Sequence, residues 1–162
     1  MKRNFVFTII FLTSLNLVNA KNIFQKFDKA SFYSLMASGG IEAIDYQLNI
    51  INDVPVNERS GYEGALLMKK ASLAKKPKDK LSYFKAGRIK METALLADDN
   101  NVEFHFLRLA IQEHAPKIVK YRADIPKDKL LIINKFKNLS PAVQHAILDY
   151  CKNSKVLRQE DF

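Results

Sequence analysis

The stretch EFHFLRLAIQEH, residues 103–114, decides how this chain folds. Its large apolar side chains fall on two opposite faces when they are placed on a helix at about 100° per residue. With the flanking residues included, one face holds Phe104, Leu107, Ile111 and Ala115, and the other holds Val102, Phe106, Leu109 and Ala110. A helix that is apolar on two faces packs between neighbouring elements. The stretch therefore predicts a central core helix.

The polar side chains of this stretch raise a second interpretation, an active site or a metal site. His105 and His114 are nine residues apart, so they lie about 180° apart around the helix axis and cannot bind one metal ion together. A zinc site of the metalloprotease kind needs histidines four residues apart, and His145, the remaining histidine, belongs to another predicted helix. The chain also lacks Gly-x-Ser-x-Gly, a glycine-rich phosphate loop and Cys-x-x-Cys. We therefore predict no catalytic residue, no metal ligand and no cofactor.

Arg108 is the polar residue of this helix with a functional alternative. It lies beside the apolar face that contains Phe104 and Ile111. Its guanidinium group either pairs with a carboxylate from another helix or points into a groove and meets an anionic group of a partner. The second alternative makes Arg108 a candidate partner-binding residue.

Residues 1–20 have the features of an export signal. Lys2 and Arg3 give a positive start, Phe5 to Val18 form an apolar core, and Val18-Asn19-Ala20 fits the small-x-small cleavage pattern. A membrane-spanning helix needs about 20 predominantly apolar residues, so an uncleaved anchor is the less favoured alternative. We predict cleavage after Ala20, a periplasmic or secreted mature protein, and no transmembrane segment after cleavage.

The mature chain is predicted to be all-α, with about seven helices in stacked antiparallel pairs. Gly and Pro are few, Leu, Ala, Lys and Glu are frequent, and no Asn-Gly or Asp-Gly hairpin signal occurs. Caps and prolines place the helices at about residues 28–38, 41–52, 58–74, 77–97, 102–115, 125–138 and 141–155. We expect one helical domain over residues 21–157 and a loose tail over residues 158–162. Cys151 is the single cysteine and is predicted to be a small buried hydrophobe.

Small residues on two of these helices constrain their packing. In the third helix a stripe at three- and four-residue steps contains Gly61, Gly64, Met68 and Ala71. Two glycines on one stripe favour the close approach of another backbone over a bound ligand. In the fourth helix a predicted core-facing stripe contains Leu81, Phe84, Met91 and Leu95.

The fourth and fifth helices resemble the second half of one tetratricopeptide-type repeat followed by the first half of the next. The small-x-x-x-large-x-x-alanine pattern of that family is matched by Gly87, Met91 and Ala94, and its aromatic-rich opening by Phe104, Leu107, Arg108 and Ile111. Arginine stands where the family has glycine, Ile111 replaces tyrosine, and the turn proline is missing. The resemblance implies stacked helix pairs that bind a peptide or a protein segment. The chain also resembles small exported bacterial helical proteins without an assigned activity.

Basic residues are concentrated in the middle of the chain. Residues 69–137 have a net charge of +9, whereas residues 21–68 have −2 and residues 138–162 are neutral. The centre is KKASLAKKPKDK, residues 69–80, which includes the candidate partner-binding residues Lys75, Lys76, Lys78 and Lys80. The run is either a solvated corner that maintains solubility or a docking surface for an anionic partner. Lysines without interleaved arginine and aromatic residues make nucleic acid an unlikely partner.

These features together predict an exported, non-catalytic binding or accessory protein. Its basic surface would bind an anionic protein, a peptide or an envelope glycolipid. The alternative is an exported enzyme, a hydrolase whose histidines and carboxylates converge only in the folded chain.

Overall fold

A computed structural model describes residues 26–162, and this part of the chain contains seven α-helices and no strand. The helices are α1 (Lys29–Ser38), α2 (Ile41–Ile50), α3 (Val56–Leu73), α4 (Pro77–Ala97), α5 (Val102–His114), α6 (Ile125–Lys135) and α7 (Pro141–Cys151). The predicted all-α class with about seven helices is confirmed. The predicted export signal and its cleavage site lie outside the described residues.

Side-chain caps fix the start of two helices. Asp28 accepts a hydrogen bond from the backbone N–H of Ser31 at α1, and Asn101 accepts one from Phe104 at α5. Two other residues with side chains that suit a cap do not cap a helix. Asn57 lies inside α3, which already begins at Val56, and Asp124 precedes α6 without a capping hydrogen bond from its side chain. The Asp124 carboxylate instead accepts a hydrogen bond from Gln112.

Helices α3 and α4 form an antiparallel pair whose backbones meet at two glycines. A Cβ atom on Gly64 would lie 2.7 Å from the backbone nitrogen of Met91 and 2.8 Å from the carbonyl oxygen of Gly87. A Cβ atom on Gly87 would lie 2.7 Å from the carbonyl oxygen of Gly64. The close backbone approach predicted from the glycine stripe is therefore present at Gly64, and the approaching element is α4. At Gly61 the neighbour is a side chain, because a Cβ atom there would lie 2.5 Å from the Phe104 ring on α5.

Helix α5 separates two apolar clusters. Phe104 and Leu107 pack into a larger cluster built mainly from α1 to α4, which also contains Tyr62. Phe106 and Leu109 pack into a second cluster with residues of α6, α7 and the C-terminal segment. Since the two faces enter different clusters, α5 is the central core helix that its sequence predicted.

The C-terminal segment differs from the loose tail that was predicted for residues 158–162. Gln159–Asp161 form a short 3-10 helix, and an Asp161 carboxylate oxygen lies 3.1 Å from the Lys129 ammonium group. The Phe162 ring packs on Phe136 with centroids 4.5 Å apart. These contacts hold the end of the chain on α6 and the turn that follows it. The segment is short and polar in sequence, and only its tertiary contacts order it.

Two further observations concern the apolarity of the helices and the burial of the cysteine. Within residues 26–162 no helix combines the length and the apolarity that crossing a bilayer requires. Cys151 is buried in the second apolar cluster, and this burial raises the pKa of its thiol.

Candidate functional site

Two groups of charged side chains are candidates for function. The first is the polar side chains of α5, which the sequence singled out as a potential active site. The second is Lys75, Lys76, Lys78 and Lys80 between α3 and the first turn of α4, named here the lysine corner.

Arg108 and Asp128 form the centre of the α5 group. The Nε atom of Arg108 donates to Oδ2 of Asp128 at 2.8 Å, and Nη2 donates to Oδ1 at 2.7 Å. The Nη1 atom donates to Oε2 of Glu92 on α4 at 2.9 Å. Such a two-point contact between guanidinium and carboxylate is a strong, directional interaction. Of the two alternatives for Arg108, the structure has the ion pair with carboxylates from other helices.

The candidate role of Arg108 in partner binding does not match its position. Its exposed fraction is 5%, and its donors face Asp128 and Glu92. Asp128, the acceptor on α6, is fully buried, with an exposed fraction of 0%. A guanidinium group in this position ties α4 and α6 to α5 and has no free side for a partner. The sequence could not distinguish the alternatives, because Asp128 is twenty residues away and lacks a pattern that links it to Arg108.

The charges of this pair stabilise each other in the interior. Burial raises the pKa of Asp128, but hydrogen bonds from Arg108 and His105 lower it more, so the net pKa lies below the ordinary value of 3.8. Burial likewise lowers the pKa of Arg108, and the Asp128 carboxylate outweighs this effect. Both groups therefore stay charged at neutral pH.

His105 forms a histidine–aspartate contact that invites comparison with a catalytic pair. Its Nδ1 atom lies 2.6 Å from Oδ1 of Asp128, and its Nε2 atom lies 2.8 Å from the backbone carbonyl oxygen of Asp99. In a catalytic pair the second ring nitrogen faces the substrate or the nucleophile. Here that nitrogen donates to the backbone of the turn between α4 and α5, and the ring is buried. The geometry is that of a histidine that fastens the α4–α5 turn to α6.

The two glutamates of α5, Glu103 and Glu113, accept hydrogen bonds from two separate sets of residues. Glu103 accepts hydrogen bonds from three side chains, which are those of Lys29, Tyr33 and Tyr62. Glu113 accepts hydrogen bonds from the Tyr150 hydroxyl, the Ser154 hydroxyl and the backbone N–H of Lys155. The first set joins α5 to α1 and α3, and the second joins it to α7 and the segment after it. Each glutamate thus connects helices, and the two do not share a centre.

The other two histidines are exposed, and neither contacts the Arg108–Asp128 pair. His114 is exposed and its Nδ1 atom lies 3.0 Å from the carbonyl oxygen of Ala110 in the same helix, and His145 is exposed on α7. In the part of the chain that the structure describes, no three His, Cys, Asp or Glu side chains are grouped in a way that could hold a metal ion. Two surface depressions among the described residues, of about 490 and 370 Å³, are open rather than enclosed.

The lysine corner differs from the polar side chains of α5, because its charges are exposed and unpaired in the part of the chain that the structure describes. Its four side chains are exposed, and none has an ion pair or hydrogen bond with any of residues 26–162. Neighbouring basic residues behave differently: Lys70 pairs with Asp45, and Lys90 pairs with Glu63 at 2.6 Å. The corner is therefore a concentration of positive charge that the fold leaves unneutralised.

Two of these lysines occupy an unfavourable place in α4. Lys78 and Lys80 lie in the first turn, where the helix dipole presents its positive end and acidic residues are preferred. Asp79 is the only acidic residue of this turn. Local helix stability therefore does not explain lysines at these positions.

Comparisons with protein-family models, with curated proteins and with solved structures found no match to this chain.

Proposed function

We propose that this protein is an exported, non-catalytic binding or accessory protein whose lysine corner binds an anionic partner. The partner class is an acidic protein or peptide, or an envelope glycolipid. The observation that carries the proposal is the exposure of Lys75, Lys76, Lys78 and Lys80 without a carboxylate partner among the described residues. Four like charges in six residues raise the local potential and attract anions from solution.

The polar side chains of α5 support a non-catalytic role. Catalytic groups need an open side toward a substrate. His105 and Arg108 are buried, and their polar atoms face Asp128, Glu92 and the carbonyl oxygen of Asp99. Glu103 and Glu113 are engaged by hydroxyl and amine donors. These contacts give the four side chains a structural role, which is to hold neighbouring helices together.

The tetratricopeptide-like resemblance and the export signal belong to the same proposal. An exported protein of stacked helix pairs would meet peptides, proteins and glycolipids of the envelope rather than nucleic acid. The antiparallel α3–α4 pair, which the lysine corner joins, is consistent with such stacking.

The experiment compares two variants with the same change in net charge. In the first, Lys75, Lys76, Lys78 and Lys80 become Gln. In the control, four exposed lysines elsewhere become Gln, namely Lys127, Lys135, Lys137 and Lys155. The chain from Lys21 onward, which contains every described helix, is applied to immobilised heparin and to immobilised lipid A. The salt concentration needed for elution measures binding, because each neutralised phosphate or sulfate contact adds to the salt dependence.

We expect the corner variant to elute at clearly lower salt than the wild-type protein on both supports, and the control variant to elute close to it. If the two variants shift equally, binding follows net charge alone and the lysine corner is not a site. If neither variant shifts, the proposal is refuted.

A further inference from the structure

The outward face of α4 continues from the lysine corner along the surface. The helix buries Gly87, Met91, Ala94 and Leu95 against its neighbours. At about 100° per residue, the residues on the opposite side are Lys78, Ser82, Lys85, Ile89, Thr93 and Leu96. They fall within an arc of about 80° and span about 27 Å along the axis at 1.5 Å per residue. This outward face is a single straight ridge.

Large apolar side chains on this ridge face solvent. Ile89 is 67% exposed and Leu96 is 87% exposed. Leu81, which the sequence placed on the core-facing stripe, is 49% exposed at the edge of the ridge. Among the described residues these side chains pack into neither apolar cluster of the core. Exposed apolar side chains are common on protein surfaces, and Val56 and Leu130 are similarly exposed elsewhere. What distinguishes Ile89 and Leu96 is that they share one helix face with lysines.

Basic side chains precede these apolar groups on the same helix face, and the carboxylate nearest to the ridge, that of Glu92 at its edge, is paired. Lys78 and Lys85 lie on the ridge itself, and Arg88 lies at its edge, where its guanidinium group stacks 4.8 Å from the ring of Tyr121. The two acidic residues of α4 point elsewhere. Glu92 pairs with Arg108 and accepts from Tyr121, and Asp79 is half-buried. The ridge is therefore basic at its N-terminal half and apolar at its C-terminal half.

This combination favours a flat anionic surface over an acidic peptide. A peptide is normally held in a groove, and the back of one exposed helix is convex. An interfacial helix instead inserts a few apolar side chains among lipid chains while lysines reach the phosphates from its flanks. Each lysine close to an anionic bilayer strengthens binding about fivefold.

We infer that α4 docks on an anionic lipid bilayer, with Ile89 and Leu96 inserted below the headgroups and Lys78 and Lys85 against the phosphates. The lysine corner, of which Lys78 is a member, adds Lys75, Lys76 and Lys80 near the N-terminal end of the same helix. This inference rests on the proposed function and narrows its partner to an anionic lipid surface.

The first test measures the binding of the chain from Lys21 onward to vesicles. One set contains phosphatidylcholine and phosphatidylglycerol at about three to one, and the other contains phosphatidylcholine alone. Ile89 and Leu96 are changed together to Ser, and the control changes Val56 and Leu130, which are also exposed, to Ser. We expect binding to the anionic vesicles only, reduced about tenfold in the ridge variant and unchanged in the control. Retention on heparin stays unchanged in both.

The second test uses the absence of tryptophan from the chain. A single Trp introduced by Ile89→Trp reports its surroundings through its emission. We expect a blue shift with the anionic vesicles and no shift for Val56→Trp under the same conditions. Both positions are exposed, so both variants keep the core intact.

The outcomes separate this inference from the proposed function. If heparin and vesicles both fail to bind, the proposed function is refuted and the inference with it. If the protein binds heparin or an acidic peptide such as polyglutamate but ignores vesicles, the partner is not a lipid surface and only the inference fails. Vesicle binding that survives Ile89→Ser with Leu96→Ser also overturns it, because charge alone would then account for binding.

Discussion

Helix α5 and the lysine corner are both rich in charged residues, yet the fold treats them in opposite ways. On α5, Glu103 and Arg108 are buried and their polar atoms meet partners on other helices. At the corner, the four lysines are exposed and have no partner in the part of the chain that the structure covers. The comparison teaches that a cluster of chemically active residue types indicates a binding surface only where the fold leaves those residues unpaired.

The physical reason is the cost of removing a charge from water. A buried charge without a partner is strongly destabilising, so the interior supplies Asp128 for Arg108 and three donors for Glu103. An exposed lysine keeps its hydration and needs no partner. Removing the carboxylate partner of a buried charge on α5 should therefore lower the free energy of unfolding strongly. Removing the lysine charges should leave the lysine corner folded.

The largest effect is expected for Asp128→Ala. The substitution leaves the buried guanidinium group of Arg108 without its two-point acceptor and also removes the acceptor of His105. We expect the free energy of unfolding to fall by about 3 kcal/mol or more, because breaking a buried ion pair leaves one charge uncompensated. Urea unfolding followed by circular dichroism measures this loss.

The matched control is Asp149→Ala, which removes an exposed ion pair with Lys152 on α7. Its free energy of unfolding should stay close to that of the wild-type protein, because exposed ion pairs contribute little. Equal losses in the two variants would contradict the distinction between paired interior charges and surface charges.

A smaller effect is expected from acid. Because the folded-state pKa of Asp128 is lowered, its charged form stabilises the fold above the unfolded-state value of about 3.9. That contribution is lost as the pH falls through the folded-state pKa. Glu113 acts in the same direction: burial raises its pKa, but hydrogen bonds from Ser154 and Tyr150 lower it more.

The measurement is urea unfolding at pH 7 and at pH 3. The wild-type protein should lose stability at the lower pH, and Asp128→Asn should lose less, because the substituted side chain does not titrate. An equal loss in both proteins would mean that Asp128 is not the group that links stability to pH.

The smallest effect on stability is expected at the lysine corner. Changing Lys75, Lys76, Lys78 and Lys80 to Gln removes no contact with the described residues and relieves repulsion in the first turn of α4. We expect the free energy of unfolding to change by no more than about 0.5 kcal/mol. A thermal melt of the variant used for heparin binding checks this expectation. A large loss would show that the lysines contribute to the fold, and the comparison would no longer hold.

Particular residues show how far the sequence could predict this structure. The two apolar faces of α5 were readable because their spacing matches the helical period, and Phe104 and Phe106 do enter different clusters. The close approach at Gly64 was readable because glycine permits a distance that a Cβ atom would forbid. The prediction for Leu81 was wrong: it was placed on the core-facing stripe of α4, yet it is 49% exposed, because its position lies at the edge of that stripe and no neighbouring helix of the described chain covers it.

The candidate sites also contain features that the sequence could predict and features that it could not. The exposure of the lysine corner follows from its composition, since lysine is rarely buried without a partner. The role of Arg108 was left between two alternatives, and the contact with Asp128 decides between them. The partners of Glu103 and Glu113 come from positions 37 to 74 residues away, and sequence spacing contains no signal for such contacts.

The sequence by itself determined the seven helices, the central place of α5 and the charge of the α3–α4 corner. These features depend on local propensity, on the 3.6-residue period and on composition, all of which can be read along the chain. Only the tertiary structure decided that the histidine, arginine and glutamates of α5 hold helices together, and that Ile89 and Leu96 face solvent. Those outcomes depend on which helix lies opposite each side chain, and packing of distant segments sets that arrangement.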